Sequence, residues 1–334
     1  SSEKKNQTWK EKRADPQKES LRWRRGATEV RDLFEGSATL VIHVMDREGD
    51  DYELLSTMLC AGDHLIIRSK YDRLLDLSEL CKQERGEAPR KLRDALAQAQ
   101  VVFQREVHLS PRKKDRSTEK RKTHPAREGR LATLQGSAAR VRIKRPSELA
   151  GTEYAPFIEL NVVHVGEVNA PEDMVPVEWY LLTTEPIDTK EEILEIVDFY
   201  RARWVIEEFF KALKSGCNIE GRQLESLRAL LNALAVFLPI AHRLLLLRSM
   251  ARTFPALPAT VVLSDSQIRI LRTMRPKLQL PPQPTLQQAL LAVASLGGHL
   301  KRNGNPGWQT IGRGFEKLLI IDDRLAFVGG LNVG

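Results

Sequence analysis

Residues 200 to 214 read Tyr200-RARWVIEEFFKAL-Lys214, and the spacing of charges in this stretch decides how the rest of the chain is understood. An α-helix turns about 100° per residue, so with Glu207 as origin Tyr200 and Lys214 fall within roughly 20° of it, and Arg203 and Lys211 within roughly 40°. One acid and a phenol therefore share a stripe with cations. Phe199, Ala202, Ile206, Phe209, Phe210 and Leu213 gather on a neighbouring arc, the pattern of a helix that buries one side and presents its charges on the other. Two readings of the stripe are open. Glu207 with Lys211 at i, i+4 and Arg203 at i−4 is the layout of a solvated ion-pair ladder. A carboxylate among cations is also what a site needs to hold a divalent metal against a phosphodiester, the acid taking the metal and the cations the neighbouring phosphates.

The pattern Tyr-x2-Arg-x3-Glu-x6-Lys, present as Tyr200, Arg203, Glu207 and Lys214, resembles the signature of the cut-and-paste DDE transposases of bacterial insertion sequences. The resemblance implies that Glu207 is the last of the family's catalytic acids. It also implies that Tyr200, Arg203 and Lys214 handle transposon-end DNA, with Lys211 beside them on phosphate.

Upstream, Thr39 to Met45 (TLVIHVM) reads as a buried strand rich in β-branched residues, and Asp46 follows at its carboxyl end. Ligands of open α/β sheets collect beyond strand carboxyl ends. The plain alternative is a strand-to-helix turn in which Asp46 or Asp50 caps a helix from Asp51 to Ala61, with Asp50 the better cap. MDREGD resembles the family's second-acid motif, which implies that Asp46 binds metal. A second strand, His64 to Lys70 (HLIIRSK), places Arg68 and Lys70 on one face. They are either phosphate contacts, as the family resemblance implies, or the decoration of a sheet edge. Trp179 stands 21 residues before Tyr200 in another strand. A strand tryptophan is usually core. The resemblance implies instead that it stacks on a base flipped out of the cleaved end, where stacking recovers about 1–3 kcal/mol of the extrusion cost.

The 334 residues are 42% hydrophobic and carry a formal charge of +8, enough apolar mass for a substantial core and a balance that favours a polyanionic partner. Charge alone does not separate nucleic acid from an anionic membrane surface. Cys60, Cys81 and Cys217 lack CxxC spacing, which argues against a disulfide framework or zinc site and fits a reducing cytoplasm. The opening residues lack the apolar core of a signal peptide. The most apolar run, Ala229 to Leu247, is interrupted by Asn232, Pro239, His242 and Arg243 and reads as a buried helix rather than a membrane span.

These readings give an α/β chain with the following organisation. Residues 1–20 are a polar flexible segment and 21–70 the first part of the core, opening with a helix from Trp23 to Phe34. An inserted, mostly antiparallel β subdomain occupies 71–177, with helical stretches at Leu74 to Glu84 and Ala88 to Ala99 and strands at 101–109, 138–144 and 158–168. Within it, 108–145 carries thirteen Lys or Arg against three acids, a loop suited to salt-sensitive phosphate affinity. Residues 178–222 form the second part of the core, with the Glu207 helix starting near Asp188 and Thr189. A helical region covers 223–319, with helices at Leu224 to Arg252, Ser264 to Met274 and Leu286 to Leu296, and an atypical tail covers 320–334. The family resemblance implies that the core is ribonuclease-H-like (integrase-type).

Two departures stand out. The family has a first aspartate on an opening strand far upstream of the second, and neither Asp15 nor Asp32 ends an apolar strand, so the chain reads as N-terminally truncated. The tail from Lys317 through Asp322 to Gly329-Gly330-Leu331-Asn332 resembles half of a phospholipase D signature, with Phe315 where the nucleophilic histidine belongs. The transposase resemblance implies a two-metal site for Mg²⁺, with Mn²⁺ able to substitute, held by Asp46 and Glu207. It further implies double-stranded DNA as partner, a homodimer in a synaptic complex, no membrane, and a cytoplasmic, nucleoid-associated location. Three functions compete: an active transposase, a remnant that only binds DNA, and a phospholipase-like protein suggested by the tail alone.

Overall fold

The computed structural model describes residues 19–109, 128–172, 174–274, 278–300 and 304–318, with the short strands at 320–321 and 325–326. The chain divides into two compact units, Ser1–Arg203 and Trp204–Gly334.

The first unit is built on a six-stranded sheet. Its opening helix, α1 (Glu19–Leu33), precedes β1 (Ile42–Met45), α2 (Tyr52–Cys60) and β2 (His64–Arg68). β1 and β2 are parallel, with α2 as their crossover. Two short helices, α3 (Lys82–Glu87) and α4 (Leu92–Gln98), lead to β3 (Val101–Leu109), β4 (Arg130–Lys144), β5 (Phe157–Val168) and β6 (Glu178–Thr183). The sheet order is β1-β2-β6-β5-β4-β3, and every pairing after β1–β2 is antiparallel. β6 lies between β2 and β5, so the strands between 101 and 168 are hydrogen-bonded into the same sheet as β1 and β2.

Alternation along the strands gives this sheet two apolar faces. Leu65 and Ile67 of β2 join Met45, Leu182, Leu54, Leu55 and Met58 in one core. Ile66, between them, joins Leu181, Val163 and Phe103 under Ile193, Ile196 and Val197 of α5 (Lys190–Ala202) in the other. β4 and β3 approach closely at Gly136, where a Cβ would land in the Phe103 ring. α5 begins as its sequence predicts, with a capping box in which Thr189 and Glu192 satisfy each other's backbone N–H.

Leu74 to Glu84 is not a helix. Leu74 and Leu75 bridge to Lys91 and Ile143, the Asp76 N–H donates to the Arg142 carbonyl, and helix starts only at Lys82. Backbone pairing across the fold outweighs the local propensity of this polar stretch. Of the basic segment, 110–127 lie outside the described residues. Three of its strand-borne cations are engaged: Arg130 pairs with Glu167, Arg140 with Asp188, and Arg142 with Asp76 and Glu79.

The second unit starts with α6 (Trp204–Lys211) and a π-helical segment (Ala212–Gly216). Beyond these come α7 (Leu227–Thr253), α8 (Asp265–Met274), α9 (Leu286–Leu296) and α10 (Trp308–Glu316). Their core gathers Leu213, Phe237, Leu244, Leu271, Leu290, Ile311 and Phe315. Close packing depends on glycine, because a Cβ at Gly312 would fall on the Gly216 carbonyl and one at Gly314 on the Val293 carbonyl. α7 is long and apolar enough to cross a membrane by length and composition, and its Ala233, Phe237, Ile240, Ala241, Leu244 and Leu247 are buried in the unit. Phe315 is also fully buried, with the Arg243 guanidinium 6.0 Å from its ring centre, so no nucleophile occupies the position the tail resemblance would require. Most of that tail, including Asp322 and Gly329 to Asn332, lies outside the described residues.

Candidate functional site

Register puts the first group of candidate residues together. Ile42 and Val44 pack toward α5 while Met45 packs on the opposite face, and Asp46 is the next position in the Ile42–Val44 series. Met45 aligns with Ile67, and Asp46 and Arg68 are the next residues at the carboxyl ends of the parallel pair. Arg68 continues the Ile66 face. Its guanidinium donates to the Glu178 carbonyl at 2.8 Å. Burial lowers Arg68 from the ordinary arginine value, Tyr200 partly offsets this, and the nearby charges of Arg47 and Arg203 push in the same direction as burial.

Tyr200 is 5% exposed, and its ring meets the half-buried Trp179 edge-on at 5.2 Å. The Arg203 guanidinium lies 5.8 Å from the same ring. The first unit thus brings Arg68, Trp179, Tyr200 and Arg203 together on one sheet face, and Asp46 follows β1 at the carboxyl end of the same parallel pair.

Asp46 also has a local role: its Oδ1 accepts the Glu48 N–H at 3.0 Å and caps the 3-10 turn Arg47–Gly49. Asp50 is not the cap of α2. That cap is Asp51, whose carboxylate accepts the N–H groups of Glu53 and Leu54. Asp50 turns inward to Arg73 and the Ser69–Tyr71 turn, a partnership that no local spacing rule signals. Lys70 is exposed, its ammonium 5.3 Å from the Tyr71 ring.

The second group is arranged differently. Tyr200 to Lys214 is not one continuous helix: α5 ends at Ala202, the Arg203 N–H bonds back three residues to the Tyr200 carbonyl, and the chain beyond Lys211 widens into the π-helical segment. A uniform turn angle does not carry across such a break, and the five-residue stripe is not a single helical face. The apolar arc divides as well. Leu213 is buried, whereas Ile206 and Phe210 are each 47% exposed. Lys211 pairs with Glu208 at 2.7 Å, not with Glu207, and Lys214 pairs with Glu220 at 3.0 Å. Glu208 also faces Arg248 at 3.6 Å, and these cations hold its carboxyl below the ordinary range against the opposing effect of burial. Lys211 lies 5.0 Å from the Trp204 ring. Glu207 is half-buried on α6.

Carboxylate oxygens are the right donors for a hard divalent cation, which takes about six oxygen ligands. Among the described residues, however, no group of three or more His, Cys, Asp or Glu side chains could hold a metal. Either Asp46 or Glu207 would need further ligands to hold such an ion. An open concavity of about 600 Å³ on α5, lined by Glu191, Glu192, Glu195, Asp198, Leu194 and Phe199, is acidic and unsuited to phosphate.

A mixed α/β sheet with an acid and cations at the carboxyl ends of its parallel strands belongs to the class of fold that binds ligands at that edge. Within that class the family is definite: the model described as transposase DDE domain matches residues 4–238, and the chain belongs to this family. The matched span takes in Asp46, Arg68, Lys70, Trp179, Tyr200, Arg203, Glu207, Lys211 and Lys214. Membership makes the chain a transposase by family, within a group that acts on DNA in transposition and generally uses divalent metals.

Proposed function

We propose that this chain binds transposon ends and takes part in cut-and-paste transposition, cleaving DNA and transferring the freed strand, as a member of the insertion-sequence branch that carries the Tyr-Arg-Glu-Lys signature. The observation that supports the reading most is the meeting of Arg68, Trp179 and Tyr200 on one sheet face, at the carboxyl end of the parallel pair whose first strand Asp46 follows. In this reading the core is ribonuclease-H-like, with 21–70 and 178–222 as its two parts and 71–177 inserted between them. The parallel β1–β2 pair followed by antiparallel strands supports that assignment.

Each residue is given a role by charge and position. Arg68, Lys70, Arg203, Lys211 and Lys214 bind backbone phosphates, as cations do most effectively where water is partly excluded. Tyr200 orients Arg68 and hydrogen-bonds near the scissile group, and Trp179 supplies a stacking surface for an extruded base. Asp46 and Glu207 offer carboxylate oxygens to Mg²⁺ or Mn²⁺ together with ligands beyond these two. Such ions, when bound, would supply the charge that activates water and stabilises the leaving oxygen. A homodimer holding two ends, and a cytoplasmic location beside the nucleoid, go with this reading.

The alternative is a DNA-binding remnant without catalysis, favoured by the lack of a third acid near either carboxylate among the described residues. Incubation with transposon-end duplexes and Mg²⁺ separates the two. Cleavage that disappears in Glu207→Ala establishes the enzyme. Salt-sensitive binding without cleavage, unchanged in Glu207→Ala and weakened in a Lys211→Ala/Lys214→Ala variant, establishes the remnant.

A further inference from the structure

We propose that Asp50 is a positioning residue for the DNA-binding edge: its buried carboxylate locks the turn that carries Asp46 to the turn that carries Lys70. The inference rests on the DNA-binding reading above. Asp50 is 4% exposed and its partner Arg73 8%. Arg73 donates to Oδ1 through Nε at 2.9 Å and Nη2 at 2.5 Å. Oδ2 accepts the Ser69 hydroxyl at 3.1 Å and the backbone N–H groups of Lys70 at 2.6 Å and Tyr71 at 3.1 Å. A carboxylate with this many donors, two of them from a rigid guanidinium fork, has one low-energy position.

The lock sits between two groups that the DNA reading uses. On one side, Asp46 is four residues away through a 3-10 turn whose Gly49 is so close to Met45 that a Cβ would approach the Met45 Cβ to 2.8 Å. On the other, the Lys70 N–H donates the shortest of the backbone bonds to the Asp50 carboxylate. The Tyr71 ring then lies between the Lys70 ammonium at 5.3 Å and the Arg73 guanidinium at 5.5 Å, which extends the lock to the side chain that would meet phosphate. Asp50 itself is buried and negative, so it cannot bind DNA directly. Its effect on DNA must pass through Lys70.

That dependence gives a double-mutant test read by fluorescence anisotropy with a labelled DNA duplex across a salt series. Lys70→Ala should weaken binding about fivefold and reduce the salt slope by about 1, the signature of one lost phosphate contact. Asp50→Asn should reproduce both changes, and Asp50→Asn/Lys70→Ala should bind within about twofold of Lys70→Ala alone, because the two act through one contact. A purely structural Asp50 would lower the melting temperature and leave the salt slope of the folded protein unchanged, which overturns the proposal. So would multiplicative losses in the double variant. If circular dichroism shows Asp50→Asn unfolded, Ser69→Ala removes one donor to the same oxygen and should show a smaller loss, about twofold, with the same non-additivity; additivity there overturns the proposal equally. Wild-type protein without salt-dependent DNA binding would overturn the DNA reading and this inference with it, whereas wild-type binding with additive variants overturns this inference alone.

Discussion

In the unit that ends at Arg203, candidate residues are held by partners distant in the chain; in the unit that begins at Trp204, they are held by neighbours. Arg68 meets the Glu178 carbonyl and Tyr200, and Asp50 meets Arg73. Lys211 is held by Glu208, three residues away, and Lys214 by Glu220. A sheet edge fixes side chains through register and burial, which leaves them little freedom. A half-exposed helix holds its cations in ion pairs worth about 0–1 kcal/mol, which a phosphate could displace. In the DNA-binding reading proposed above, the first unit offers a preformed surface and the second a set of cations to be released from their carboxylates.

The most severe way to break this comparison is to remove the acid from either unit. If both serve one reaction, Asp46→Ala and Glu207→Ala should each reduce Mg²⁺-dependent cleavage by about 10³-fold or more, measured on transposon-end DNA. Equal losses join the two units in one function, and a loss confined to one separates them.

Stability should differ next. Arg73→Met leaves the Asp50 charge buried without its main partner and should cost about 3–5 kcal/mol in a denaturant melt. Gly312→Ala places a methyl against the Gly216 carbonyl and should cost the second unit about 1–3 kcal/mol. Two separate unfolding transitions, each moved by only one of these changes, would confirm that the units melt independently.

A smaller effect, of opposite sign, is expected from Glu208→Gln/Glu220→Gln. Freeing Lys211 and Lys214 from their carboxylates should tighten DNA binding about two- to fivefold at low salt, with a steeper salt slope. Unchanged affinity would mean that these lysines do not reach phosphate.

The mildest test is acidification. Burial lowers His164 from the ordinary histidine value, with Glu178 opposing it, and burial likewise lowers His43. The unfolded chain then binds more protons than the fold, so this contribution is complete above about pH 6.5 and is lost as pH falls through and below that value. In the second unit, burial raises Glu316 while Arg222 and Arg313 oppose it. There the folded state holds its proton more tightly, so stability declines as pH rises from the ordinary glutamate range through the raised value. Melting followed from pH 8 down into the ordinary glutamate range should weaken the first unit while partly relieving the second. His164→Gln should flatten the first trend.

Much of the architecture was legible in local pattern. α9 runs from Leu286 to Leu296 as read, α5 starts behind the Thr189 cap, and TLVIHVM ends as a strand with Asp46 at its carboxyl end. These depend on capping, periodicity and β-branching, which act over a few residues. The continuous helix from Tyr200 to Lys214 failed because a turn at Arg203 and a π-helical segment interrupt it, and no residue in that stretch is a proline or a mid-helix glycine that would announce a break. Asp50 and Asp51 look alike as caps in the sequence, since either precedes the apolar run, and only the fold shows that Asp51 caps while Asp50 binds Arg73.

By itself, the amino-acid order determined the family signature, the identity of the charged residues, and the placement of most helices and strands. Tertiary structure alone decided which acid meets which base, that β6 joins the later strands to the β1–β2 pair, and that Arg68, Trp179 and Tyr200 share one sheet face. The physical reason is range. Helix caps and alternation are set by neighbours within a turn or two, whereas burial and ion pairing are chosen among groups that meet only after the chain has folded.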